Sequence, residues 1–535
     1  MIVILSVYES IIMIQWGIFQ KYDLKFRIGL ESGVFKMESR IKRLKWNSLM
    51  GIVFQISSII VNFILPRFYL QYYGSEVYGL VCSITQFLAF INIADLGISA
   101  VVSSALYKPL AQNDEEKISR ILAFARRFFY IAGTVLVLYV GALSVFYPQI
   151  VKGKFSSLFT ITLLWSMSIS QFGQFFLGIT YQILLNADQK SYIQLTINTI
   201  TILLNAFATI IIMISGGSIQ FVKLTTSGIF LLRPLLLYLY VKRHYNIDYE
   251  VRAKSSDVPQ KKSGVIQHIT YVVYSNTDVA VLTVLSSLSD VSIYSVYILV
   301  NNGIKSFVMA ISNSFLPMFG NLIAKEENSK LNKVYVIYEW WIHSICTFLF
   351  TICAALIVPF VLTYTKGIND ANYYAPLFAL LLTISCGFNT IREGMYILIK
   401  AAGHYKQTQI ATIIEAIINI SISIILVFNL GIVGVAIGTV SATVFYNTYE
   451  MVYLSKHIVY RELKYFLKQL IVDMIFIMLF VFFSRSIVVK DYSYLAWLQT
   501  ALVYTGIGLV IELIVQSIFY KDNIIVLYRV LKARI

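Results

Sequence analysis

Residues 191–222 read SYIQLTINTITILLNAFATIIIMISGGSIQFV and contain no charged side chain. About 20 consecutive apolar residues are enough to cross a bilayer as a helix. The run is interrupted only by Ser215-Gly216-Gly217, which reads as a tight turn between two such helices. A second stretch of the same design, TQIATIIEAIINISISIILVFNLGIVGVAIGTV, occupies 408–440, and its turn is Asn429-Leu430-Gly431. Two helical hairpins of membrane-spanning length decide the class of protein, and the remainder of the chain follows suit.

The whole sequence is 535 residues, 58% apolar and 13% charged. Soluble domains are nearer 45–50% apolar and about 25% charged. A chain this long would need three or four soluble domains at about 150 residues each, and its polar residues are too few to cover their cores. A transmembrane β-barrel is excluded too, because barrel strands alternate over about ten residues and these runs are continuous. The expected class is an all-α integral membrane protein.

Fourteen candidate spans follow, at 48–70, 77–102, 126–147, 156–184, 191–215, 217–241, 265–288, 291–320, 337–365, 373–399, 407–430, 432–455, 464–486 and 495–519. The net charge is +16. In a soluble protein this would suggest nucleic acid. Here Lys and Arg lie in the gaps between spans, 30 on one side against 6 on the other (Arg67, Lys152, Lys154, Lys366, Arg485, Lys490). That asymmetry is the positive-inside pattern and places both termini in the cytoplasm. Met37 opens a basic amphipathic lead-in, Met37-Glu38-Ser39-Arg40-Ile41-Lys42-Arg43, so translation is expected to start there, with 1–36 an undocked extension. The four cysteines (Cys82, Cys346, Cys353, Cys386) fall inside apolar runs with no CxxC or His/Cys cluster and read as packing residues.

The chain also repeats. Leu185-Asn186-Ala187-Asp188-Gln189-Lys190, a run containing Asn205 and the Gly216-Gly217 turn are answered by Lys400-Ala401-Ala402-Gly403-His404-Tyr405-Lys406, a run containing Asn419 and Gly431. Each repeat has six spans, an even number, so the two are parallel and related by an axis along the membrane normal. The expected organisation is an N-terminal extension and lead-in (1–47), one bundle (48–241), a cytoplasmic linker (242–264), a second bundle (265–455) and two extra helices with a tail (456–535).

Short motifs, in order and at matching spans, carry a family resemblance. They are Tyr78-Gly79-Leu80, Ala94-Asp95-Leu96-Gly97-Ile98, Asn276-Thr277-Asp278, Tyr294-Ser295-Val296, Pro317, Ala401-Ala402-Gly403-His404-Tyr405-Lys406 and Gly431-Ile432-Val433-Gly434-Val435-Ala436-Ile437-Gly438-Thr439. From about residue 40 to 520 the chain resembles the polysaccharide or oligosaccharide-lipid flippases (Wzx type) of the multidrug/oligosaccharidyl-lipid/polysaccharide exporter superfamily. The resemblance implies a MATE-like fold with a central cavity between the repeats. The implied activity is transfer of an undecaprenyl-diphosphate-linked oligosaccharide (an O-antigen, capsule or exopolysaccharide unit) to the outer leaflet of the bacterial cytoplasmic membrane. It also implies a groove for the polyprenyl tail at the two extra helices, and a polysaccharide polymerase and chain-length regulator as partners. The alternatives within the fold are a cation-coupled drug antiporter and a lipid II flippase. A membrane-embedded polymerase or ligase is the enzymatic rival. Such enzymes typically use a large external loop, whereas the external connections here are short. The five histidines are scattered, and no HExxH, GxSxG or P-loop is present. The expectation is therefore a transporter without catalytic residues, metal or cofactor, apart from a coupling H⁺ or Na⁺.

A charge at mid-bilayer is costly and needs a reason. The in-span cations are Lys223, Arg233, Lys305 and Arg392, and the anions include Asp95, Asp278, Glu339, Glu393, Glu415, Asp473 and Glu512. Glu450, at the inner end of span twelve, is set aside as close to water. An anionic diphosphate headgroup, as the resemblance implies, requires cations in a wet cavity. Arg392 and Lys305 are the expected substrate-binding pair, with Lys223 and Arg233 as weaker candidates and Asp278 neutralising Lys305 in the empty site. Asp278, Asp95 and Glu415 are the candidates for a coupling ion. Tyr271, Tyr274, Tyr297 and Tyr396, near Asn276, Asn301, Asn302 and Asn389, would form a polar aromatic wall suited to sugar. Asp473 and Glu512, outside the repeats, are expected to pair locally.

Overall fold

The computed structural model describes residues 31–95, 97–151, 154–248, 251, 265–487, 489 and 491–525. The first helix runs from Glu31 through Met37 without a break, and residues 1–30 lie outside the described set. Most of the 242–262 connection lies outside it too.

Every element is helical, and ten helices among the described residues are long and apolar enough to cross a membrane. The first of these, Arg43–Ile93, is two rods. Gly74 leaves helical geometry with φ 80°. The rings of Tyr69 and Tyr78 consequently stack 6.3 Å apart. Nine residues of straight helix would separate them by about 13 Å, so the chain doubles back here as spans one and two. Three further rods are interrupted or polar. Span four (Ser157–Gly173, then Ile179–Ala187) is broken by a π turn at Gln174–Gly178. Span seven (Val265–Leu285) carries Asp278. Span ten (Pro376–Ala402) carries Arg392 and Glu393. Each exceeds the roughly 30 Å hydrocarbon thickness, so the rods number fourteen, as the sequence spacing indicates.

The two repeats pack alike. Span one lies on five, two on three and four, three on four, and four and five on six. Span seven lies on eleven, eight on nine and ten, nine on ten, and ten and eleven on twelve. Corresponding rods also break alike. Span two turns 3₁₀ at Phe90–Asp95 and span eight at Asn313–Phe315, just ahead of Pro317. Gly216 (φ 75°) and Gly431 (φ 52°) sit at the two hairpin turns, in backbone that glycine adopts most readily.

Spans thirteen (Lys464–Ser484) and fourteen (Tyr494–Phe519) pack on span nine. Their shared core is Ile352 and Leu356 against Phe476, Phe480, Tyr504, Ile511 and Val515. The outer faces of thirteen and fourteen expose Met478, Phe482, Leu502 and Leu513, as lipid-facing helices do.

Candidate functional site

The two repeats meet through spans one and two on one side and seven and eight on the other. Their cross-repeat hydrogen bonds concentrate at the end of the bundle away from the termini, here called the far end. Asp370 accepts from the Ser75 backbone N–H and from its hydroxyl, both at 2.6 Å. The Tyr373 hydroxyl bridges Ser75 and Ser292 at 2.8 Å each. Arg67 donates to the Lys366 carbonyl at 2.7 Å, Tyr364 to the Phe63 carbonyl at 2.7 Å, and Ser83 meets Thr283 at 2.7 Å. Toward the terminal end, His268 Nε2 lies 2.9 Å from the Asn92 carbonyl oxygen, the one such contact among the described residues there. A recess of about 920 Å³ opens beside the far-end contacts, lined by Thr365, Lys366, Asn369, Asp491 and Tyr492. None of the in-span charges singled out from the sequence lies in it.

Those charges fall into separate places. Lys305 Nζ pairs with Glu393 Oε1 at 2.7 Å, with both side chains about a quarter to a fifth exposed (25% and 21%). The expected Lys305–Asp278 pair does not form. The reason is depth. Asp278 is nearer the far end of span seven, whereas Lys305 is midway along span eight, level with Glu393. Asp278 instead accepts from Thr439 Oγ1 at 2.9 Å, Tyr294 Oη at 3.0 Å and Asn419 Nδ2 at 3.2 Å. It is thus a buried carboxylate held by three uncharged donors from spans seven's neighbours eight, eleven and twelve.

Arg392 is enclosed among helices ten, eleven and twelve. Its Nη1 is 3.7 Å from Glu415 Oε2, its Nη2 donates to Asn389 Oδ1 at 3.0 Å, and its guanidinium carbon is 4.9 Å from the Tyr446 ring centre. Glu450 is 0% exposed and faces the same cluster, so setting it aside as a water-exposed residue is corrected. It sits only two turns from the end of its helix, but spans ten and eleven pack against that helix and bring Arg392 and Glu415 to it. Helix position alone overestimated its access to water.

The N-terminal repeat holds the other candidates apart from these. Lys223 Nζ donates to the Tyr69 hydroxyl at 2.9 Å and lies 4.1 Å from that ring's centre. Arg233 donates to Thr201 Oγ1 at 2.7 Å and stacks 3.8 Å from the Phe230 ring centre. Asp95 accepts from the Ser99 amide and hydroxyl at 3.2 and 2.7 Å, stapling the start of the helix that follows the 3₁₀ break. The structure therefore brings together Lys305, Glu393, Arg392 and Glu415 and leaves Lys223, Arg233 and Asp95 with local partners.

The polar aromatics divide as well. Tyr274 meets Thr443 at 3.0 Å near the Arg392 cluster. Tyr297 is fully buried and donates to the Tyr373 carbonyl, and Tyr271 is 58% exposed. Asp473 does pair locally, its Oδ2 lying 2.7 Å from His343 Nδ1. Glu512 accepts from Gln516, which in turn accepts from Trp340. Glu339 pairs with Arg461 from the connection between spans twelve and thirteen. These contacts tie spans thirteen and fourteen to span nine. Sequence reasoning missed Asn419 and Thr439 as partners of Asp278, although both stood in the quoted repeats and motifs. The signal was a polar residue on each helix that the repeat packs against span seven.

No protein-family model matches the chain, and no curated protein matches it by sequence. Solved structures do match in shape. The lipid II flippase MurJ in an inward closed conformation is 17% identical with TM-score 0.69, covering 89% of this chain and 99% of that one. An inward-facing multidrug resistance MATE family transporter of the MOP superfamily is 14% identical with TM-score 0.59, over 78% and 98%. A MOP superfamily transporter from Pyrococcus furiosus is 13% identical with TM-score 0.52, over 77% and 96%. At these identities the likeness is one of fold: the chain has the helical membrane fold shared by MurJ and the MATE transporters.

Proposed function

We propose that this protein is a flippase that carries an undecaprenyl-diphosphate-linked oligosaccharide across the bacterial cytoplasmic membrane by alternating access, with both termini in the cytoplasm. The observation that carries this reading is the one-ended closure of two equivalent repeats. They are latched through Ser75, Asp370 and Tyr373 at the far end, while the partly exposed Lys305–Glu393 pair lies at mid-span. With the 30-to-6 basic asymmetry, the far end is external in this reading, and the repeats would part from the cytoplasmic end.

In this reading Lys305 and, after local rearrangement, Arg392 receive the diphosphate. Arg offers a bidentate fork and Lys a point charge. Lys223 and Arg233 serve the N-terminal wall. Asp278, with oxygens from Thr439, Tyr294 and Asn419 around it, is the candidate for a coupling H⁺ or Na⁺. Asp95 is a helix staple. A polysaccharide polymerase and a chain-length regulator would act on the delivered lipid.

A lipid II flippase is the second reading. The likeness to MurJ extends over 89% of the chain against 78% for the MATE transporter, a difference the size of two further helices. The same point weighs against a drug antiporter. The test is reconstitution in proteoliposomes with two substrates, an undecaprenyl-diphosphate-linked oligosaccharide and lipid II. Accelerated flipping of the first alone supports the proposal, and of the second alone supports the alternative. Flipping of neither overturns both.

A further inference from the structure

Arg392, Glu415 and Glu450 form a buried cluster whose charges do not balance. Arg392 is 8% exposed, Glu415 3% and Glu450 0%. One oxygen of Glu415 approaches Arg392 at 3.7 Å. The other has no hydrogen-bond partner, and Glu450 has the Tyr446 hydroxyl beside it but no donor at full hydrogen-bond geometry on either oxygen. Arg392 Nε, on that nine-tenths buried side chain, also lacks an acceptor.

The neighbours do not supply the missing cation. Span seven presents Tyr274 and, beyond it, Asp278; span eight presents Lys305, which Glu393 of span ten already holds. Span nine presents Tyr335, backed by Glu339 with Arg461. Span ten adds Lys400, partly exposed nearer the terminal end and 4.7 Å from the Tyr396 ring centre; it faces Glu393 and Glu450 but, among the described residues, forms no ion pair with either. Span twelve contributes Tyr446, whose hydroxyl faces Glu450, and Tyr449. Lys305 cancels Glu393, and Arg392 can cancel one of the two remaining carboxylates. A second ionised carboxylate with no cation of its own, and at most a hydroxyl beside it, is not sustained in a water-poor interior; it takes up a proton instead.

We infer that Glu415 and Glu450 between them hold one exchangeable proton, with Arg392 compensating whichever carboxylate is ionised. Uptake converts a carboxylate and a hydronium ion to a carboxylic acid and water, and release reverses it. Glu450 lies seven residues from the terminal end of span twelve, so the exchange path leads to that side. The use of this proton in transport rests on the flippase reading; its presence does not.

The test is infrared spectroscopy of the full-length chain in nanodiscs at neutral pH, reading the carbonyl stretch of protonated carboxylic acids. Glu450→Gln and Glu415→Gln should each lose one acid equivalent relative to wild type, because either variant leaves one carboxylate for one guanidinium. The double variant should lose no more than a single one, and Arg392→Gln should gain one. Unchanged spectra in both single variants, or a twofold loss in the double, overturn the inference. Monodispersity in size-exclusion chromatography checks folding, and any one of the three single variants that folds suffices to decide. A second arm measures flipping of an undecaprenyl-diphosphate-linked oligosaccharide under an imposed pH gradient. Glu450→Gln should flip with a weaker dependence on the gradient than wild type, and an unchanged dependence overturns the use of this proton in transport. Wild-type protein that shows the acid band but flips nothing refutes the flippase reading and leaves the proton site standing.

Discussion

Gly79 offers a direct way to force the far end open. In span two its Cα faces the first turn of span eight. A Cβ built there would lie 1.9 Å from the Leu288 carbonyl oxygen and 2.8 Å from its carbon. Bringing that oxygen to ordinary contact requires the backbones to part by more than about 1 Å. A gap of that size forfeits up to roughly half the dispersion energy of the facing atoms. Overpacking of this kind costs about 1–3 kcal/mol. The same displacement strains the Ser83–Thr283 contact and the two bonds from Ser75 to Asp370, four residues away along the helix. Losing one bond to a charged acceptor costs about 1.5–3 kcal/mol more. Gly79→Ala should therefore disfavour the far-end-closed state by about 2.5–6 kcal/mol, a roughly 10²- to 10⁴-fold shift in the ratio of closed to open forms. Spin labels at Tyr72→Cys and Tyr374→Cys, both exposed at the far end, report the change by double electron–electron resonance in a background without native cysteines. The distance distribution should move outward and flipping should fall. Unchanged distances and wild-type flux in well-expressed Gly79→Ala would refute both the closure and its role.

Other consequences can be checked alongside. Lys305→Ala leaves Glu393 uncompensated and should lower thermal stability by about 1–3 kcal/mol, less than the cost of breaking a fully buried pair because both side chains are partly exposed. The Lys305→Ala/Glu393→Ala double variant should regain that stability in a melting assay but not regain flipping. Asp278→Asn, with its carbonyl oxygen in the place of Oδ2, keeps two of the three donors and should express normally; its transport should lose dependence on the coupling cation, read in proteoliposomes with and without a Na⁺ or H⁺ gradient. Asp473→Ala strands the buried His343 and should cost about 3–5 kcal/mol, seen as a lower melting temperature and easier proteolysis of spans thirteen and fourteen. Cysteine at Ser255 should resist an impermeant reagent in intact cells, and labelling there would reverse the orientation.

Span number, the hairpin turns at Gly216 and Gly431 and the packing of the last two helices were legible because the bilayer imposes a length and because glycine punctuates the turns. The repeat was legible from its turns, and the structure adds the matching contact pattern. Pairing of the in-span charges was legible only by depth along each rod. Depth alone would have matched Lys305 with Glu393, but adjacency in sequence favoured Asp278, on the hairpinned neighbour. What a linear reading lacks is the azimuth of each side chain, which the bundle fixes. Glu450 shows the same gap, since it lies near a helix end yet is sealed by neighbouring spans.

The repeat also shows where the chemistry lies. Asn205 and Asn419 are equivalent, an offset of 419 − 205 = 214 residues. Both are buried, Asn205 meeting Thr209 and Asn419 meeting Asp278 and Thr439. The turns at Gly216 and Gly431 are 215 apart, and at either 214 or 215 Asp278, Lys305, Arg392, Glu415 and Glu450 fall on uncharged residues of the first repeat (Ile64, Ile91, Gly178, Thr201 and Leu236 at 214). Each ionisable group of the C-terminal cluster thus has an apolar, small or uncharged counterpart. One repeat is a scaffold with local staples, such as Arg233 on Thr201 and Asp95 on Ser99. The other holds a carboxylate bound by neutral donors and a cluster with more buried carboxylates than cations to match them. In a low-dielectric interior such groups respond to ions and protons, whereas their apolar counterparts cannot. In the proposed flippase, spans seven, eight, ten, eleven and twelve are therefore the elements that would respond to an ion gradient. Spans one and two provide the surface against which that movement closes, with Gly79 at the point of tightest contact.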